Sequence, residues 1–73
     1  MEKENIMNFD IEVFDSRNTS RTDSLVMRSW QTAKDYARKL SIENPFKIIV
    51  SNCDTGAWVQ FEAGQLSEWS QLQ

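Results

Sequence analysis

Asp54-Thr55-Gly56 is the triplet with the most chemical content in this chain, because Asp-Thr-Gly carries the catalytic carboxylate of aspartic proteases. That chemistry needs two carboxylates sharing one proton, so a 73-residue chain would have to work as a homodimer. The flanking residues argue for a turn instead. Ser51-Asn52-Cys53 stands where an apolar strand should lead in, and Asn, Asp and Gly are the residues that a hairpin reversal uses. Cys53 lies beside Asp54 as a conceivable nucleophile, but the chain has no histidine to act as its base. The same lack removes the commonest metal ligand and any Ser-His-Asp triad. Asp10 and Glu12 share one strand face and could form an acid–base pair, although alternating acids on a wet strand face ordinarily only solvate it. With Gly56 and Gly64 as its two glycines, the chain has no phosphate-cradling loop. The expectation is a non-enzyme without metal or cofactor.

Seventy-three residues make one domain, spanning 1–73, with residues 1–6 read as a dispensable, disordered leader ahead of Met7. So short a chain buries only about 60% of its unfolded surface. Three Trp, four Phe and one Tyr compensate, since each aromatic carries a large apolar area. A single cysteine rules out an internal disulfide and favours the reducing cytoplasm. The longest apolar runs, Leu25-Val26-Met27 and Ile48-Ile49-Val50, are far too short to span a membrane.

The net charge of −3 is unevenly spread. Residues 1–24 hold six acids against three bases, 25–45 four bases against two acids, and 46–73 three acids against one base. A general nucleic-acid binder shows a clear basic excess, and this chain does not. The best basic group is Arg17, Arg21, Lys34 and Arg38, the last two one helical turn apart, as alternative phosphate contacts. In the opposite sense, Glu2, Glu4, Asp10, Glu12, Asp15 and Asp23 could imitate a row of phosphates.

The elements that position these residues follow from periodicity. Trp30, Ala33, Tyr36, Ala37 and Leu40 recur at helical spacing, Ser29 is a cap, and Pro45 forbids continuation past Asn44. This predicts a helix over Ser29–Asn44, with Arg38 and Lys39 towards the end that the helix dipole favours for bases. Strict alternation predicts strands over Met7–Phe14, Ser24–Arg28, Phe46–Ser51 and Ala57–Glu62, with Asp15–Asp23 as a loop. Gly64 marks a reversal, and Leu66–Leu72 is read as a last strand in preference to a short helix. If Ala63-Gly64 is a two-residue loop, Trp58 lies opposite Trp69, while a bulge would shift that register by one. The fold class is therefore α+β: a mostly antiparallel sheet of four or five strands with one helix on one face, ββαββ(β). The expected core is Phe9, Ile11, Val13, Leu25, Met27, Ala33, Tyr36, Ala37, Leu40, Phe46, Ile48, Val50, Val59 and Phe61.

One face of such a sheet stays wet, and a Trp pair there is either a cross-strand brace or a partner surface. The candidate partner-binding residues are Trp58, Trp69, Asp10, Glu12, Gln60 and Glu62. The arrangement of two strands, the Ser29-capped helix with Ala33-Lys34 and Ala37, and a meander with Gly56, Trp58 and Trp69 resembles small phage-encoded proteins, several small anti-CRISPR proteins among them. That resemblance implies a non-catalytic inhibitor or small regulator that binds a host protein complex, without indicating which residues do so. Exposed sheet edges also leave a homodimer open.

Overall fold

Ser29 starts the helix as its residue type predicts. Its Oγ accepts the Thr32 N–H at 3.1 Å, satisfying one of the free donors of the first turn. In the computed structural model, which describes residues 6–44 and 46–70, helix α1 runs Trp30–Glu43. It closes where Asn44 donates its backbone N–H to the Leu40 carbonyl at 2.9 Å. The expected stop at Pro45 and residues 1–5 of the expected leader 1–6 lie outside the described residues, as does Leu72, while Ile6 is exposed. The last turn of α1 carries no base, so Arg38 and Lys39 fall short of the position where the helix dipole would favour them.

Five strands accompany the helix: β1 Met7–Phe14, β2 Ser20–Met27, β3 Lys47–Asn52, β4 Trp58–Glu62 and β5 Gln65–Trp69. They form one sheet in the order β2-β1-β3-β4-β5, with every neighbouring pair antiparallel. This is the expected α+β class, with the sheet at five strands. β2 and β3 flank β1, so α1 carries the chain across one face of the sheet between them.

Two stretches depart from the expectation. The polar segment Ser20–Asp23 is strand and not loop, since β2 begins at Ser20 and pairs with β1 along its whole length. The loop shrinks to Asp15–Thr19, where the Asp15 carboxylate accepts the N–H groups of Arg17 and Thr19 and Asn18 takes a positive φ of 62°. Residues 20–24 show no alternation because neither face of that edge lies under the helix, so both faces stay polar. The second departure is in the core. Phe9, Ile11, Ala33, Ala37, Ile48, Val50, Ala57, Val59 and Phe61 are buried, with Val13, Leu25, Met27, Trp30 and Leu40 packed around them. Tyr36 and Phe46, expected inside, are 42% and 45% exposed. The helix presses only a narrow strip onto the sheet, and Tyr36 projects from its flank.

That strip is Ala33, Ala37 and Ser41, spaced at i, i+4, i+8 and each fully buried. Ser41 Oγ donates to the Arg38 carbonyl at 2.7 Å and accepts the Gly64 N–H at 2.8 Å, tying the helix to the β4–β5 turn. The turn allows no bulk there: a Cβ on Gly64 would stand 2.6 Å from Ile42 Cγ1. Ala63 and Gly64 both take positive φ, 52° and 81°, the signature of a two-residue type I′ hairpin. Ala63 is thus held where an L side chain is disfavoured. Replacing Ala63 with Asn should raise stability by about 0.5–1 kcal/mol. By contrast, Ser41→Ala strands the Gly64 donor and should lower it by about 1–3 kcal/mol. Urea unfolding midpoints of the two variants should move in opposite directions.

Candidate functional site on the open sheet face

Strand register assigns the residues of the face opposite α1. Cross-strand partners share a face, so one row runs Ser24–Asp10–Ser51–Trp58. The next runs Thr22–Glu12–Ile49–Gln60–Glu68. Trp58 continues to Ser70, because the Ser70 N–H donates to the Trp58 carbonyl at 2.9 Å and the Trp58 N–H donates to Ser70 Oγ at 3.0 Å. Ile49 is half-buried on the central strand and Trp58 at the start of β4, and no described element covers them. The same face carries Asp10, Glu12, Glu62 and Glu68, of which Glu12 is the direct cross-strand partner of Ile49. Lys47 is the base of this face, with its ammonium 4.2 Å above the Phe14 ring.

Trp69 does not join Trp58. A bulge between Gln60 and Phe61 places two residues of β5, Ser67 and Glu68, against Gln60, so Trp69 pairs with Val59 on the helix side. The expected Trp58–Trp69 cross-strand pair is therefore absent. The cause is visible in the bonds: Ser67 Oγ donates to the Gln60 carbonyl at 3.2 Å and accepts from Gln60 Nε2 at 2.9 Å, holding the extra residue in place. Gln60, a candidate contact, is largely buried in that arrangement. Asp10, Glu12, Glu62 and Trp58 do come together on the open face.

The basic group is dispersed. Arg21 pairs with Asp23 at 3.3 Å on the exposed edge strand, Arg17 lies in the β1–β2 loop, and Lys34 reaches to 5.4 Å from the Trp30 ring on the helix. Trp30 in turn stacks on Phe9 of β1, centroids 5.5 Å apart. The acidic row divides as well. Asp15 is consumed by its own loop and Asp23 by Arg21, which leaves Asp10 and Glu12 on the open face. Glu2 and Glu4 lie outside the described residues.

The Asp54-Thr55-Gly56 triplet is a turn, as its residue types predict, and the side chain that holds it is that of Asn52 at its start. Asn52, 3% exposed, accepts the N–H of Asp54 at 2.8 Å and of Thr55 at 3.3 Å with Oδ1. Its backbone exchanges with Ala57 and Gly56, and Gly56 takes φ +81°. An Asn at a strand end before a Gly-containing turn is the signal that could have revealed it. Cys53 is exposed at this turn. Desolvation, then the Asp10 carboxylate, both by its charge and by a hydrogen bond from the thiol, and then Asp54 push the Cys53 thiol up. At neutral pH it is therefore a thiol and a poor nucleophile. No group of three or more metal-ligating side chains occurs among the described residues.

No protein-family model, curated protein or solved structure matches the chain. Among the described residues no helix is long and apolar enough to cross a membrane.

Two measurements test this geometry. Asn52→Ala should lower stability by about 1–3 kcal/mol, because two turn N–H groups lose their acceptor. Thermal melting reads that loss. Asp10→Asn should speed alkylation of Cys53 by iodoacetamide at mildly alkaline pH, since it removes the charge and the bond that keep the thiol protonated. An unchanged rate would mean that Asp10 does not face the thiol.

Proposed function

We propose that this chain is a non-catalytic protein-binding module that engages a basic surface of a partner protein through its open sheet face. The observation that carries this reading is Trp58, half-buried beside Ile49 on an uncovered sheet face that also holds Asp10, Glu12, Glu62 and Glu68. A large aromatic beside Ile49, flanked by Ser51 and Gln60 and with acids farther out on the same face, has the composition of an apolar anchor with a polar rim. The acids steer a basic partner, while Trp58 and Ile49 supply the apolar area that water leaves on contact. In the cell the module acts as a cytoplasmic inhibitor or small regulator of a host protein complex, in the manner of small phage-encoded inhibitors. Its lone exposed cysteine suits a reducing compartment.

Nucleic acid is the weaker reading. It would need Arg17, Arg21, Lys34 and Arg38 to act together, yet Arg21 is engaged by Asp23 and Lys34 lies over Trp30.

Affinity capture from host lysate with mass spectrometry, followed by titration of the captured partner, separates these readings. Binding should fall by about thirtyfold or more for Trp58→Ala, as for an aromatic anchor. It should weaken only modestly between low and physiological salt. A steep salt dependence with capture of nucleic acid, lost on Lys34→Ala and Arg38→Ala, would overturn the proposal.

A further inference from the structure

Among the described residues β5 is one edge of the sheet, and its outward side offers more than a backbone with no described partner strand. The Trp58–Ser70 pair is hydrogen-bonded, and antiparallel ladders alternate, so the Val59–Trp69 pair is not. The N–H and C=O of Trp69 therefore point away from β4. The bulge at Ser67–Glu68 has a second effect. It places Leu66 and Trp69 on the same, helix-side face although three positions separate them.

Both residues are about half exposed, Leu66 50% and Trp69 55%, and Ile42, 56% exposed, stands beside Gly64 at the turn end of β5. The helix cannot shield this corner. It crosses the sheet diagonally, from Trp30 over Phe9 on β1 to Ser41 on the β4–β5 turn, and so leaves the Trp69 end of β5 uncovered. On its other face β5 shows Glu68, with Glu62 on the neighbouring strand.

The geometry points to strand addition at β5: an extended segment of another protein pairs along this edge, with apolar residues against Leu66 and Trp69 alternating with basic residues against Glu68. Main-chain bonds give such an addition its affinity and alternate side chains its specificity. Charge decides the occupant. Two copies of this chain paired antiparallel through β5 would bring their Glu68 carboxylates close together, whereas a basic strand meets each with the opposite sign. The apolar half of this site is separate from the open-face reading, because Leu66 and Trp69 stand on the other side of the sheet from Trp58, while Glu68 is shared by both.

A short blocked peptide of alternating valine and lysine is the probe, with alternating valine–glutamate and a blocked-order valine–lysine peptide as controls. Hydrogen exchange followed by NMR should show new protection at the Trp69 amide with the first peptide alone. Trp69→Ala should weaken its binding by about thirtyfold. Glu68→Lys, a surface change that leaves the fold intact, should weaken it about fivefold and admit the glutamate peptide. Trp58→Ala should leave it unchanged, so failure here is distinct from failure of the open-face reading. Absence of protection at Trp69, equal binding of all three peptides, or a concentration-dependent dimer protecting the same amide without peptide would each overturn the inference.

Discussion

One helix has to cover five strands, and it cannot. Fourteen residues of α1 make a rod about 21 Å long and about 10 Å wide. Five strands at their usual spacing span about 19 Å. The helix therefore buries a diagonal band, and the residues under that band make the core: Phe9, Ile11, Ile48, Val50, Val59 and Phe61. What lies outside the band stays accessible, from the polar half of β2 to Leu66 and Trp69 on β5.

The same constraint explains the small residues at the contact. Ala33, Ala37 and Ser41 are fully buried, and their size lets the helix axis approach the sheet closely enough for the large side chains of β1, β3 and β4 to fill the space around it. Ser41 does more than fill space. Its hydroxyl joins the Arg38 carbonyl to the Gly64 N–H, so helix position and hairpin position are set together. Trp30 anchors the opposite end by stacking on Phe9. With both ends tied, neither the diagonal nor the uncovered corner is free to change independently.

The functional reading rests on what that geometry leaves exposed. The open face gathers Trp58 with acids from three strands, an arrangement visible only once cross-strand partners are known. On the helix side, Leu66 and Trp69 form a second apolar surface along an edge that no described strand pairs. The two aromatic residues that alternation would place together thus serve opposite faces of one sheet.

The amino-acid sequence by itself determined the helix, β1, the β4–β5 reversal and the α+β class. Each is encoded by contacts a few residues apart: the Ser29 cap, the spacing of Trp30, Ala33 and Ala37, the alternation of Met7–Phe14, and the Gly at position 64. It also shows that the chain holds no histidine, the usual base of a nucleophilic site. Tertiary structure decided the rest. Ser20–Asp23 is strand because β1 pairs with it, and local alternation carries no trace of a strand that the helix never covers. Trp69 turned to the helix side because Ser67 bonds Gln60 across the hairpin, a long-range contact that moves the register by one. Asn52 organises the Asp-Thr-Gly turn because it is buried, and burial is a property of the whole fold. Local periodicity specifies elements, whereas which face a side chain reaches depends on partners distant in the chain.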